Sequence, residues 1–160
     1  MTRTTLAVYF LCISVGYSQN LDSLEQVYQV STGVQRARLL NELTLAYQRI
    51  DHKKIETFAN EAKRLISETD NETIRGYAYL TQAIHNGIRG VPDSAVHYFK
   101  EAIRIGKTID NSDIHGKALT GAGRSSITAG KPAEGLEYLF EALELLKKYP
   151  DKKDTEWRVR

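Results

Sequence analysis

A chain of 160 residues, 41% hydrophobic and 26% charged, has the size and composition of about one globular domain. Its 22 basic and 20 acidic residues leave a formal charge of +2, which supplies no electrostatic case for binding nucleic acid or an anionic membrane surface. A single cysteine excludes an internal disulfide framework.

The first segment, "MTRTTLAVYFLCISVGYSQN", has the three-part layout of a secretory leader. Arg3 gives the positive start, Leu6 to Val15 an apolar stretch broken only by Ser14, and Gly16 and Ser18 the small residues before Gln19. The spacing predicts a signal peptide over 1–18 and places the rest of the chain in the periplasm or another extracytoplasmic compartment. The apolar run is shorter than the roughly 20 residues a membrane span requires. Tyr9, Phe10 and Leu11 precede Cys12, so the small residue expected beside a lipoprotein cysteine is missing. From Gln19 onward there is no cysteine, and packing alone must stabilise the fold.

Residues 19–33 predict a single capping helix. Leu21, Leu24, Val27 and Tyr28 share a face, and Asp22 and Glu25 are spaced as a capping box. Beyond it the chain repeats itself every forty residues. Ala62, Ala102 and Ala142 each follow a glutamate (Glu61, Glu101, Glu141). Phe58, Tyr98 and Tyr138 form a second column, and Leu65, Ile105 and Leu145 a third. Upstream, Leu39, Tyr79 and Leu119 align, as do Leu43, Ala83 and Gly123. Gly90 and Gly130 each stand two residues before a proline, Pro92 and Pro132.

Each unit reads as two amphipathic helices. Phe58, Ala62, Leu65 and Ile66 descend one helical face, and Leu39, Leu43, Ala46, Tyr47 and Ile50 descend another. The glycines suit helix C-termini and the prolines suit first turns. "SETDNET" and "TIDNSD" supply N-capping residues between units. Small residues at 62, 102, 142, 83 and 123 require the paired helices to approach closely. A lone hairpin cannot bury its stripe, so units stack around a shared core. The expected fold is all-α, an α-α superhelix of about three hairpins over 34–150 with units near 34–70, 71–110 and 111–150. Residues 151–160 read as the start of a truncated fourth unit, with Val159 forty residues after Leu119.

The run of a large residue, Gly or Ala four later, Gly-x-Pro, then Ala and an aromatic resembles the tetratricopeptide repeat. That repeat ordinarily spans 34 residues. The longer period resembles variants in the exported N-terminal regions of bacterial sensor histidine kinases and transcriptional regulators. Leu39, Tyr79 and Leu119 stand where the family carries a tryptophan, and Ile55 stands where a small residue is expected. The resemblance implies a protein- or peptide-binding module, the sensing or interaction region of a signal-transduction protein whose output domain lies outside this chain. The alternative is a self-contained periplasmic scaffold or assembly factor. Members that clamp a C-terminal carboxylate use lysines and asparagines on the inner helices. Leu40, Thr44, Leu80 and Ile84 fill those positions here, so that activity does not carry over.

Catalytic chemistry finds no support within these residues. His52, His85, His97 and His115 lack zinc-ligand spacing, and "TGAGRSSITAGKP" follows Lys131 with Pro132 where a phosphate loop needs Ser or Thr. Gly121 and Gly123 serve helix packing instead. The Asn71-Glu72-Thr73 sequon doubles as a helix cap. No cofactor or metal is expected, membrane contact only through a downstream span, and no feature speaks to oligomeric state. What remains is the surface of the first helices, expected to line a concave groove for a peptide or partner helix. Its candidate residues are Leu40, Thr44, Tyr47 and Gln48, then Tyr77, Leu80, Ile84 and Ile88, then Lys117, Thr120, Arg124 and Ile127.

Overall fold

The computed structural model describes residues 21–149. The segment 1–18 expected to be a signal peptide, and the segment 151–160 expected to start a fourth unit, lie outside the described residues. Seven helices follow one another, with no strand among the described residues. They are α1 (residues 21–30), α2 (Gly33–Tyr47), α3 (His52–Glu68), α4 (Glu72–Ile88), α5 (Pro92–Thr108), α6 (Ser112–Thr128) and α7 (Pro132–Lys148). From α3 onward every helix is 17 residues long, so the starts at 52, 92 and 132, and at 72 and 112, keep the forty-residue interval.

Local chemistry sets these boundaries. Asp51, Asn71 and Asn111 cap α3, α4 and α6, their side chains accepting from backbone N–H groups of the first turn. Pro92 and Pro132 open α5 and α7. Within each of the later hairpins the turn is closed by a glycine in the left-handed region, Gly90 at φ 73° and Gly130 at φ 77°. There Val91 N–H reaches Asn86 O at 3.0 Å and Lys131 N–H reaches Ser126 O at 2.8 Å, the six-to-one bond of a Schellman ending. Asp110 (φ 50°) does the same between units, with Asn111 N–H donating to Gly106 O at 2.9 Å.

Packing is sequential. Each helix from α3 on packs against its neighbours in the chain; in addition α2 touches α4 and α4 touches α6. The backbones of the second helices α3, α5 and α7 do not pack against one another, although long side chains tie α5 to α7 through Lys100 with Glu134 at 3.1 Å and Lys107 with Glu141 at 2.6 Å. First helices meet while second helices splay, so the stack curves with α2, α4 and α6 on its inner side. The result is an all-helical repeat superhelix. One apolar cluster joins α1 to α4 and another joins α2 with α4 to α7, and Leu65 packs against both.

The columns of small side chains are buried. Ala62, Ala102 and Ala142 have essentially no exposed surface. A Cβ on Gly123 would fall 2.9 Å from the Gly135 carbonyl oxygen, and one on Gly106 would fall 2.7 Å from the His115 backbone nitrogen. The stripe read from the sequence is only half of what the second helices bury. Phe99, one residue beyond the Tyr98 column, is buried and lies so close to Gly121 that a Cβ there would meet its ring at 2.3 Å. Tyr98 and Tyr138 are only half-buried. Each internal second helix therefore has two apolar faces, one for its own hairpin and one for the next unit.

At the N-terminal end α1 is held largely by polar contacts. Tyr28 is buried, donates to Glu61 and packs edge-on against Phe58, while Arg36 lies 4.2 Å over its ring. Arg36 Nε donates to Glu61 Oε1 at 2.8 Å. Glu25, expected to close a capping box, accepts instead from Lys54 and from the Tyr47 hydroxyl. Val27 points outward from the face assigned to it.

Three outcomes follow for stability. Gly106→Ala drives a methyl group into His115 backbone that cannot yield, and urea unfolding should show a loss of about 1–3 kcal/mol. Gly87→Ala meets only the Ala95 methyl at 3.9 Å and should gain about 0.4–1 kcal/mol. Burial raises the Glu61 pKa, but the bonds from Arg36 and Tyr28 outweigh it and hold the carboxyl below its ordinary 4.5. A carboxylate with a lowered folded pKa stabilises above its unfolded value and loses that contribution as pH falls through the folded one. The stability advantage of the native protein over Glu61→Gln should be largest at neutral pH and vanish as pH drops well below 4.5.

Candidate functional site

The inner surface formed by α2, α4 and α6 carries a chain of polar side chains. On α6, Asp113 Oδ2 accepts from the Tyr77 hydroxyl of α4 at 2.8 Å and from Lys117 Nζ at 3.0 Å. Lys117 Nζ also sits 5.8 Å from the centre of the Tyr77 ring. On α2, Arg38 Nε donates to Glu42 Oε1 at 2.8 Å, one turn along the same helix. The Arg38 guanidinium is held protonated mainly by Glu42, with lesser help from Tyr77 and Asp113. Burial, and then the charge of Asp113, push the Tyr77 hydroxyl well above its ordinary value. It therefore stays neutral and remains a donor. The Tyr77 bond to Asp113 bridges the second and third units, while the Arg38–Glu42 pair stays within α2 of the first.

The twelve candidate groove residues divide sharply. Leu40, Thr44, Tyr47, Tyr77 and Leu80 are buried, so the reading that assigned them to an accessible groove is corrected. First helices have neighbours on more sides than second helices, and these side chains fill that space. The Thr44 hydroxyl donates to Leu40 O at 2.7 Å within its own helix, which lets a polar residue sit in the core. Tyr47 is tied to Glu25 and Lys54. Ile84 and Ile88 are half-buried against the apolar clusters. Lys117 and Thr120 are half-buried, and the Thr120 hydroxyl has no hydrogen-bond partner. Gln48, Arg124 and Ile127 are exposed. The usable surface is thus narrower and more polar than a hydrophobic groove.

Arg38, Glu42 and Asp113 escaped the sequence reading. Their signal was present as oppositely charged side chains four apart, Arg38 with Glu42 and Asp113 with Lys117. Such pairs are common on any solvated helix, and only the stacking of α4 against α6 gives this one a partner on another unit.

The histidines serve the packing. His85 lies buried on α4, 3.0 Å from Glu56 of α3. His115 is buried beside Glu141 at 3.5 Å, and burial lowers its pKa. His97 rests against the Tyr98 ring. Among the described residues no cluster of three His, Cys, Asp or Glu is arranged to hold a metal ion, and no helix is long and apolar enough to cross a membrane. A cavity of about 180 Å³ opens between the end of α5, the start of α6 and the end of α7, lined among others by Lys107, His115, Leu145 and Lys148. Neither a family model, nor a curated protein, nor a solved structure matches this chain.

Tyr77→Phe leaves Asp113 with one donor fewer at a half-buried position. Urea unfolding should show a loss of about 1 kcal/mol, the net worth of one such hydrogen bond. Circular dichroism should show unchanged helix content.

Proposed function

We propose that this chain is a protein- or peptide-binding repeat module of the tetratricopeptide kind. The observation that carries the reading is the convergence of α2, α4 and α6 on one inner surface. There, Arg38, Glu42, Asp113 and Lys117 supply charge, and Arg124 and Ile127 supply accessible contacts. A surface that crosses three repeating units offers evenly spaced contacts to an extended segment or a helix, which is how repeat proteins recognise partners. The mixture of separate positive and negative groups suits a polar peptide that carries both charges.

The leader motif supports an extracytoplasmic location. The long period supports a role as the sensing or interaction region of a bacterial signal-transduction protein, a histidine kinase or regulator. An immediate stop after codon 160 in the gene would remove the sensor version and leave the self-contained scaffold.

The binding surface itself is testable with a displayed library of random peptides. Selected peptides should lose affinity at least tenfold for Arg124→Glu and for Ile127→Asp, measured by fluorescence anisotropy. They should bind Arg104→Glu, a substitution on the second helix α5, as tightly as the native protein. Equal binding to all three variants would place recognition elsewhere.

A further inference from the structure

The cavity between the end of α5, the start of α6 and the end of α7 measures about 180 Å³, enough for a small organic molecule. Lys107, Asp110, His115 and Lys148 bring charged or titratable groups to its lining, and Leu145 an aliphatic one. His115 is only 9% exposed, yet its Nε2 has no hydrogen-bond partner. Glu141 Oε1 lies 3.5 Å from that nitrogen and is drawn away by Lys107 Nζ, which approaches it to 2.6 Å. The backbone beneath the imidazole is fixed, because Gly106 brings α5 so close that a Cβ there would lie 2.7 Å from the His115 nitrogen. Asp110 accepts from the Tyr149 hydroxyl at 3.1 Å. Lys148 has no carboxylate within ion-pair distance among the described residues, and its Nζ stands 5.2 Å from the centre of the Tyr149 ring. An unpaired cation thus adjoins a buried imidazole whose hydrogen-bonding capacity is unmet, and an unmet buried polar atom calls for a partner.

The repeat supplies an internal comparison. Forty residues earlier, Ser67, Glu72, Arg75 and Thr108 hold the positions of Lys107, Ser112, His115 and Lys148, while Asp70 and Asn71 match Asp110 and Asn111. At that earlier junction the chain provides its own anion: Arg75 Nη1 donates to Glu72 Oε1 at 2.7 Å. In the third unit the nitrogen-bearing position is kept as His115, but Ser112 stands where the acid was, and lysines replace Ser67 and Thr108. The junction loses a carboxylate and gains two ammonium groups around an open space. Opposite charge is what such a lining selects, and a buried imidazole beside a lysine adds a directional donor to it.

We propose that this cavity binds a small oxyanion, a carboxylate or a phosphate, whose oxygens do for His115 and Lys148 what the Glu72 carboxylate does for Arg75 one unit earlier. Lys148 supplies the charge-assisted contact, the Nε2–H of His115 a second donor, and Leu145 the wall for a short aliphatic body. Burial is the main cause that lowers the His115 pKa below 6.5; Glu141 opposes it, and Lys107 and Lys148 add to it. An anion beside the ring favours its charged form, so binding raises the His115 pKa and tightens as pH falls. The inference is independent of what the inner surface binds.

The imidazole Cε1–H resonances of the intact protein report the site, that of His115 being identified by its loss in His115→Gln. At constant pH and ionic strength, inorganic phosphate or butyrate should move the His115 resonance along a saturable curve and leave that of the exposed His52 in place. With the anion saturating, the midpoint of the His115 titration should rise. Lys148→Thr, which installs the residue found forty positions earlier, should weaken binding about tenfold, the worth of one hydrogen bond to a charged group. Lys147→Thr should bind as the native protein does. Ser112→Glu, which returns the acid to the chain, should raise the His115 midpoint without added anion and abolish the response to it. Saturation by phosphate alone or butyrate alone assigns the oxyanion to that class, and saturation by both assigns the site to the group they share. A His115 resonance that follows neither anion overturns the proposal. So does a shift that His52 shares equally, or one undiminished in Lys148→Thr.

Discussion

The fold depends on how closely its helices approach. At Ala62, Ala102 and Ala142 the side chain is a methyl group, and at Gly106, Gly123 and Gly135 there is none, so backbones and neighbouring side chains come into direct contact. Dispersion between closely packed atoms falls steeply with distance, so these columns set the helix separation more firmly than flexible Leu or Met contacts would. The alanine column recurs at forty-residue intervals, so the close approach is repeated from one hairpin to the next. The curvature, and with it the inner surface of α2, α4 and α6, follows from that repetition.

The two ends of the stack meet different conditions. At the N-terminal end of the described residues α1 lies against α2 and α3 and adds Leu21, Leu24 and Tyr28 to the apolar cluster. The polar clamps of Tyr28 and Arg36 on Glu61, and of Lys54 and Tyr47 on Glu25, supplement that contact. These carboxylates are only partly removed from water, so each bond contributes modestly, and the set gains from sharing its partners. At the C-terminal end α7 presents an apolar stripe to water. The described ends thus differ, with a polar clamp at one and exposed Leu136, Phe140 and Leu143 at the other, and each follows from the residues at hand.

The repeat interval, the hairpin turns, the caps and the small columns were legible in the sequence because each depends on contacts within one helix or one hairpin. Gly90 before Pro92 announces its own turn. The second apolar face was not legible. Phe99 sits one residue from Tyr98, and a search for a single stripe assigns the aromatic position to Tyr98; only the approach of Gly121 from the next unit shows which ring is buried. The groove residues were misread for a related reason. Periodicity identifies a face but not how many neighbours cover it, and first helices are covered by the helices before and after them as well as by their own partners. Thr44 reads as a groove residue, yet its hydroxyl is satisfied by Leu40 O inside the core, as that of the equally buried Thr81 is by Tyr77 O. The Asp113, Lys117 and Tyr77 set could not be found from spacing alone, because its third member comes from a helix 36 residues away.

Nearest-neighbour packing also determines how binding would act on the molecule. Since the backbones of α3, α5 and α7 do not pack against one another, the units communicate through their hairpin interfaces, through the first helices and through the ion pairs between α5 and α7. A quasi-one-dimensional stack of this kind can open at any one interface without disturbing the rest. A ligand lying across α2, α4 and α6 contacts all three units at once, and by mass action it favours the state in which every interface is closed. The Tyr77 bond to Asp113 already bridges one of these interfaces, so a ligand that engages Lys117 or Arg38 acts on groups coupled to that bond. Binding on the proposed inner surface would therefore also change the rigidity of the whole superhelix. That property suits a module whose occupancy must be sensed at a distance from the site where the ligand binds.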